Sequence, residues 1–356
     1  MNETLYSIFT SMSFCLFLFW WVILLLRRNT LSFRAHKHLS WFAFVMIFLS
    51  FCHAAYFNGE ETSWTRVIYV TSNLLMFPLL WIYTRALTEP GELKARDRWV
   101  LAPALLFGII LSIIVLSGGS AYAMDLPFRI LFLLELVVSF IFILQRLTAF
   151  DRRVQNFYVD TEHKSLKDLR TLFIVLIPLS FLSFLMGVIG RSFFMENLLL
   201  IIPSVSFCVL VFGFFHIAFL LEYTAAEMAA AEPESSDAAT EPDERAQLAL
   251  MDRVRELMQS QRIYLTPGLK ISDIAETLDT NRTYISACIN RQTGMSFSDY
   301  VNGFRIRYAQ DLMRRKDLDL TLTQIGIQSG FSGDTSFFRN FKKVTGQTPS
   351  GWLSAQ

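Results

Sequence analysis

The chain has 356 residues, of which 53% are hydrophobic and 34 are phenylalanine, and its formal net charge is +1. This apolar composition excludes a single ordinary soluble domain. The small net charge hides a partition, because residues 222–250 carry a net charge of −7 and residues 251–356 a net charge of +4. We therefore predict three parts with separate roles, at 1–221, 222–250 and 251–356.

The first part contains seven long apolar runs. They cover approximately residues 5–26, 39–57, 66–86, 99–117, 128–148, 170–190 and 197–221. Each reaches the roughly 20 residues that a helix needs to cross a hydrocarbon layer of ~30 Å. The alternative is a large soluble helical core, but helices apolar on all faces seldom recur so often in one. We predict a bundle of seven transmembrane helices.

Basic residues alternate between the loops of this bundle. The loops predicted to lie in the cytoplasm hold 14 Lys and Arg residues, whereas those on the other side hold three. This bias places the N-terminus outside and everything after residue 221 in the cytoplasm. The first run does not resemble a cleavable signal peptide, since Arg27 and Arg28 follow it instead of preceding it.

Three polar residues at membrane depth are candidates for ligand binding. Glu135 lies within the apolar sequence LFLLELVV, and His53 and Asn73 fall at comparable outer depths in other spans. Ionisable groups inside a membrane are costly and often functional. The alternative is structural, a protonated or hydrogen-bonded carboxyl that holds helices together, and the sequence leaves both roles open.

No catalytic or metal-binding pattern accompanies these residues. The sequence lacks His-Glu-x-x-His, Gly-x-Ser-x-Gly and P-loop motifs, and its four cysteines are widely spaced with no Cys-x-x-Cys. We therefore expect neither an enzyme nor a bound metal or cofactor.

Residues 222–250 are predicted to be an acidic flexible linker. Pro233 and Pro242 interrupt any helix, and the content of Ser, Ala and acidic residues favours disorder. The beginning of this stretch could instead continue the seventh span as a helix.

The last part contains an internal duplication. The sequence TGQTPSGWL at 345–353 echoes TGMSFSDYV at 293–301, 52 residues earlier. Upstream of each, an isoleucine (Ile274 or Ile325) is followed by a tiny residue and, 11 or 12 positions later, by an apolar anchor. Each unit is typical of a short helix, a tight turn and a second helix, which is a helix-turn-helix.

Local signals define the second helix of each unit. Asn281 is the predicted N-cap in the first unit, whereas in the second unit Gly330 turns the chain and Ser332 is the predicted cap. Phe337 and Phe341 are expected to face the core. Between the units, apolar residues at helical spacing predict one long amphipathic helix over 296–315.

The outward faces of the two second helices are the candidate DNA contacts. In the first unit these are Arg282, Thr283, Ser286, Ala287, Asn290 and Arg291. In the second unit they are Asp334, Thr335, Ser336, Arg339, Lys342 and Lys343. Short polar and basic side chains on a protruding helix can reach base edges and phosphates. The alternative is an ordinary solvated face, and the duplication favours DNA.

These motifs carry a family resemblance. The segments DIA, FRIRYAQDLM, QSGF, FFRNFKK and TGQTPS are similar to those of the DNA-binding domain of AraC-type transcription regulators, over about residues 250–354. The resemblance implies two helix-turn-helix units on a linking helix. Gly326 stands where the family usually has alanine. Asp334 is an acid where the family often has a basic or amide residue, which leaves base preference there open.

The sequence as a whole predicts an all-α protein, a seven-transmembrane-helix bundle followed by a cytoplasmic double helix-turn-helix domain. We interpret it as a bacterial one-component transcription regulator of the cytoplasmic membrane. The expected partners are double-stranded promoter DNA, the lipid bilayer and a small ligand or membrane signal, with a second copy of the chain and RNA polymerase as further candidates. The alternative is a transporter or receptor whose C-terminal domain docks a protein.

Overall fold

The computed structural model describes residues 2–26, 33–57, 59–162, 164–189, 201–220, 225–230, 244–315 and 318–355. Over these ranges the chain is helical and forms no strand, and its one isolated extended pairing is an antiparallel bridge between Tyr158 and Lys270. The all-α prediction is confirmed. The chain divides into two compact units, the first formed by Met1–Ala149 and Leu166–Glu227, the second by Phe150–Ser165 and Met228–Gln356.

The first unit contains the apolar helices. They are α1 (Asn2–Leu26), α2 (Phe33–Phe57), α3 (Ser63–Thr88), the short α4 (Ala95–Arg98), α5 (Ala102–Leu116), α6 (Asp125–Phe157), α7 (Lys167–Ile189), α8 (Ile201–Leu220) and α9 (Ala225–Ala230). The last residues of α6 and of α9 belong to the second unit.

Four of the described helical segments are long and apolar enough to cross a membrane. They are Ala35–Tyr56, Ser63–Thr88, Ala95–Leu116 and Asp125–Phe157, and the shorter segments Ser11–Leu26 and Val205–Leu220 are also apolar. The number of seven spans stays a prediction, and most of the predicted linker over 222–250 lies outside the described residues.

Aromatic side chains fill the interior of the first unit. The indole of Trp20 in α1 stacks on the ring of Phe215 in α8, with centroids 5.5 Å apart. Phe17 of α1 and Phe42 of α2 approach the same ring at 6.2 and 6.1 Å. Aromatic rings in edge-to-face and offset-stacked pairs bury a large apolar area. These contacts therefore pack α1, α2 and α8 together.

The outer faces of α5 and α6 are also apolar. Large side chains on these helices are exposed, among them Leu106, Ile109, Ile113, Leu134 and Ile141. In water such a surface would be unfavourable, whereas a helix in lipid is expected to be apolar on its outer face.

The second unit contains the predicted duplication. Its helices are α10 (Glu244–Gln259), α11 (Ile271–Thr277), α12 (Arg282–Thr293), α13 (Phe297–Arg314), α14 (Leu322–Gln328), α15 (Asp334–Thr345) and α16 (Pro349–Ser354). Helices α11 and α12 form the first helix-turn-helix, and α14 and α15 form the second. The linking helix α13 agrees with the predicted range, and the Ser296 hydroxyl caps it by accepting from the Asp299 amide at 3.1 Å.

The two second helices begin differently. The Asn281 side chain caps α12 by accepting a hydrogen bond from the Thr283 amide at 2.8 Å, as predicted. The predicted Ser332 cap is wrong, because Gly333 is the N-cap of α15 and makes no side-chain cap bond. The acidic Asp334 occupies the first turn of that helix instead, where it interacts favourably with the helix dipole.

Two glycines of the second unit lie where the surrounding backbone or a neighbouring side chain leaves little room for a Cβ atom. Gly330 turns the chain with φ of +88°, as predicted, and a Cβ there would lie 2.7 Å from the Tyr264 carbonyl oxygen. A Cβ at Gly326 would lie 3.0 Å from the Phe337 ring. The glycine at 326 therefore lets α14 and α15 cross closely.

Helix α13 is buried on more than one side. Its residues Ile306, Ala309, Leu312 and Met313 join Ile325, Phe331, Phe337 and Phe341 in one apolar cluster. Among the residues that the structure describes, the largest fully buried side chain also lies on this helix, and it is the charged Arg305.

Candidate nucleic-acid interface

The face of α12 agrees in part with the predicted outward residues. Ile285, Cys288 and Ile289 are buried, with at most 1% of each exposed, and they anchor the helix to the second unit. On the other side Thr283, Ala287 and Arg291 are exposed, while Arg282, Ser286 and Asn290 are half-buried. The helix therefore presents a polar face opposite an apolar one.

Side chains on this face are already engaged. The Asn290 amide donates to the Ser286 hydroxyl at 3.3 Å, and the Arg291 guanidinium donates to the Gln247 side-chain oxygen at 3.3 Å. The Arg282 guanidinium lies 5.0 Å from the centre of the Phe157 ring. These contacts orient the amide and the two cations before any ligand binds.

The face of α15 is more strongly basic. Thr335, Arg339, Lys342 and Lys343 are exposed, and Phe337 and Phe341 on the opposite side are fully buried. Three cations within two helical turns form a surface suited to phosphate oxygens.

Two predicted contacts on α15 need correction or refinement. Ser336 is 1% exposed, so its predicted exposure is wrong. It lies next to Phe337, and the buried face of α15 is wide enough to include both residues. Asp334 is exposed, and its carboxylate accepts a hydrogen bond from the Thr323 hydroxyl at 2.8 Å, which ties α15 to α14.

Lys343 has an acidic neighbour. Its ammonium group pairs with Asp299 at the start of α13, and 57% of the lysine side chain remains exposed. Exposed ion pairs contribute only about 0–1 kcal/mol, so a phosphate could replace the carboxylate at little cost.

The membrane-depth candidates lie in the first unit. The His53 ring lies 5.5 Å from the Tyr69 ring, and the Asn73 amide donates to the Tyr69 carbonyl at 2.9 Å. His53 thus contacts the Tyr69 ring, whereas Asn73 bonds to the Tyr69 backbone one turn earlier in the same helix. Glu135 is half-buried on α6, and neither of its carboxyl oxygens has a hydrogen-bond partner within the described residues.

A polar contact near Tyr69 was missed from the sequence. The Arg66 guanidinium donates to the Asp125 carboxylate at 2.6 Å and lies over the Tyr69 and Tyr122 rings at 5.1 and 4.8 Å. The available signal was a basic and an acidic residue near the predicted outer ends of two apolar runs.

Comparisons with known proteins concern the second unit. Residues 274–355 match the family described as a helix-turn-helix domain. An uncharacterized HTH-type transcriptional regulator of Staphylococcus aureus (strain MSSA476) is 31% identical over 99 residues, which are 28% of this chain and 13% of that protein. The Msm operon regulatory protein of Streptococcus mutans is 28% identical over 102 residues, which are 29% of this chain and 35% of that protein.

One solved structure is also similar, a protein of unknown function from Listeria innocua. It shares 24% identity at a TM-score of 0.27, with coverage of 30% of this chain and 96% of that chain. The family match over residues 274–355 gives the chain a C-terminal helix-turn-helix domain, and the chain spans 13% and 35% of the lengths of the two curated relatives.

Proposed function

We propose that this protein is a membrane-embedded transcription regulator that binds promoter DNA through α12 and α15. The observation that carries the proposal is the repeated helix-turn-helix, in which each unit presents a polar or basic helix face opposite buried anchors. The match of residues 274–355 to a helix-turn-helix domain and relatives named as transcriptional regulators support it. The sequence motifs favour the AraC type within this class.

The length of the linking helix supports the binding of both faces to one DNA duplex. Helix α13 has 18 residues, which corresponds to a length of about 27 Å. Successive major grooves on one side of B-DNA are ~34 Å apart. We propose that α12 and α15 enter two such grooves, with Arg282 and Arg339 near base edges and Lys342 and Lys343 on phosphates.

The first unit is proposed to lie in the cytoplasmic membrane. Support comes from the apolar helices, the exposed apolar faces of α5 and α6, and the excess of basic residues in alternate loops. The C-terminal unit would then share a compartment with DNA. We propose no catalytic activity for the chain.

The membrane unit is proposed to sense a ligand or a membrane signal. Glu135 has buried oxygens without hydrogen-bond partners in the described part of the chain, and such a group favours any state that supplies a partner. His53 and Asn73 are the other candidates for ligand contact. A second copy of the chain and RNA polymerase are the candidate protein partners for this function.

Genome-wide mapping of DNA bound by the tagged, full-length protein tests the proposal. We expect enrichment at a small number of promoters, and binding to the recovered sequences that weakens steeply with salt. Topology reporters fused after residues 2 and 221 should report the exterior and the cytoplasm. Absence of promoter enrichment, or a C-terminus outside, would favour a receptor whose C-terminal domain docks a protein.

A further inference from the structure

The second unit includes a piece of chain that is distant in sequence. Phe150–Ser165 comprises the end of α6 and the connection to α7, and it belongs to the same compact unit as the helix-turn-helix domain. We call it the docked segment. It lies outside the helix-turn-helix match at 274–355, so it is an addition to that domain.

The docked segment is attached through its backbone. The Val159 amide donates to the Leu269 carbonyl at 3.2 Å, beside the antiparallel bridge between Tyr158 and Lys270. The Val159 carbonyl accepts from the Ser298 hydroxyl at 2.7 Å and from the Asn302 amide at 3.4 Å. Val159 is 1% exposed, so all of these bonds are shielded from water.

An ion pair adds to this attachment. The fully buried Arg305 donates to the carbonyls of Tyr264 and Thr266 at 2.7 and 2.9 Å, and to the Asp160 carboxylate at 3.2 Å. Burial lowers the pKa of the Arg305 guanidinium, and Asp160 opposes that shift. A buried arginine needs an anion to remain favourable, and within the described residues the docked segment supplies it.

The docked segment also holds a candidate DNA contact. The Arg282 guanidinium, at the first position of α12, lies 5.0 Å from the centre of the Phe157 ring. The electron-rich face of an aromatic ring attracts a cation. An arginine that is held over a ring and half-buried cannot at the same time extend fully to a base or a phosphate.

We propose that the docked segment is an intramolecular inhibitor of DNA binding, which keeps Arg282 on Phe157 until the segment is released. The inference rests on the proposed function. Docking of the segment and DNA binding compete for the Arg282 side chain and are therefore thermodynamically coupled. Release of the segment and DNA binding consequently favour each other. The segment is continuous with α6 and α7, so a change in those helices has a covalent route to α12 that does not pass through residues 222–250.

A reversible cross-link tests this directly. Partners in an antiparallel bridge have Cα atoms ~4.5–5.5 Å apart, within the 4.4–6.8 Å that a disulfide accepts. Tyr158→Cys and Lys270→Cys would be combined in a full-length chain whose Cys15, Cys52, Cys208 and Cys288 are replaced by alanine. The protein would be reconstituted in lipid nanodiscs, and its affinity measured for a duplex carrying a mapped promoter site.

We expect the oxidised protein to bind this duplex about tenfold more weakly than the same protein after reduction. Tyr158→Cys alone is the control and should not respond to the reductant. In an Arg282→Ala background the difference between the two redox states should largely disappear. Phe157→Leu, which keeps an apolar side chain without the ring, should strengthen binding by the uncross-linked protein.

The outcomes separate the two proposals. Equal or tighter binding by the oxidised protein would overturn inhibition by the docked segment and leave the proposed function intact. Failure of the cysteines to form a disulfide would overturn the docked arrangement itself. No specific binding in either redox state, nor by the chain with its native Tyr158 and Lys270, would contradict the proposed function.

Discussion

Arg305 and Asp160 are 145 positions apart in sequence, yet the guanidinium Nη1 lies 3.2 Å from the carboxylate Oδ1. None of the arginine side chain is exposed, and 11% of the aspartate side chain is. The pair therefore joins the linking helix between the two helix-turn-helix units to a connection between two apolar helices.

Asp160→Asn should destabilise the second unit. The amide cannot neutralise the buried guanidinium, and loss of one partner from a buried pair costs about 3–5 kcal/mol, less here because Arg305 keeps two carbonyl acceptors. Hydrogen exchange followed by mass spectrometry should show faster exchange in α13 and at Val159.

A matched control lies on the same helix. Arg314 and Asp311 form an exposed pair, with 53% and 69% of their side chains accessible. Asp311→Asn should therefore change the free energy of unfolding by less than about 1 kcal/mol. If the two variants exchange at the same rate, the buried pair does not stabilise this unit.

The neighbours Thr335 and Ser336 offer a test of the α15 face. Thr335 is exposed and Ser336 is 1% exposed. Thr335→Ala should weaken binding to a mapped promoter site, whereas Ser336→Ala should leave the affinity within experimental error. Titration of each full-length variant with a labelled duplex measures this, and the opposite order would show that another face of the helix meets DNA.

Variants at base contacts and at phosphate contacts on α15 should have different effects on DNA binding. Arg339→Ala is expected to cost about 1–3 kcal/mol on the specific site and less on unrelated DNA. Lys342→Ala should weaken both sequences alike and reduce the slope of log affinity against log salt by about one. Parallel titrations at several salt concentrations distinguish these two patterns. Equal losses on both sequences for Arg339→Ala would assign it to phosphate.

Three glycines of the second unit should respond differently to alanine. Gly330→Ala places a Cβ 2.7 Å from a backbone oxygen at positive φ, so we expect a loss of more than about 2 kcal/mol. Gly326→Ala meets the Phe337 ring at 3.0 Å, and this crowding should outweigh the roughly 1 kcal/mol gained in helix propensity.

Gly303 is the control for these substitutions. A Cβ there would meet nothing within 4 Å, so Gly303→Ala in α13 should stabilise the unit by about 0.5–1 kcal/mol. Chemical denaturation of the three variants gives the order 303, 326, 330 from most to least stable. Stabilisation by Gly326→Ala would mean that the ring of Phe337 moves aside easily.

The sequence predicted what depends on local patterns. The duplication, the Asn281 cap and the Gly330 turn follow from neighbouring residues, and the structure contains all three. The buried Arg305 was not predicted, because a charged residue in an amphipathic helix ordinarily belongs to its solvated face. Its buried partners are Asp160 and the carbonyls of Tyr264 and Thr266, and no local pattern reveals them.

Two predictions at the candidate interface are wrong because a local sequence pattern does not determine how the helices pack. Ser332 was predicted as a cap from residue type alone, but the chain extends one residue further before α15 begins. Ser336 was assigned to the polar face by its chemistry, although its position beside Phe337 places it on the buried face of α15. Residue type indicates what a side chain can do, and the packing of α14 against α15 decides which way it points.

Glu135 provides the last test, which concerns sensing. Its two carboxyl oxygens are buried without hydrogen-bond partners in the described residues, an arrangement that is costly unless another state supplies a partner. Glu135→Gln keeps the shape of the side chain and removes its ability to ionise.

For the Glu135→Gln variant we expect promoter output to lose its difference between the two growth media in which the wild-type output differs most. The affinity of the full-length variant for a duplex carrying a mapped promoter site should equal that of the wild type. Ser139→Ala, at another buried position of α6, controls for packing and should retain the response. A Glu135→Gln protein that responds like the wild type would assign this carboxyl a purely structural role. A variant that loses DNA affinity would show that Glu135 acts on the fold of the chain and not on the signal.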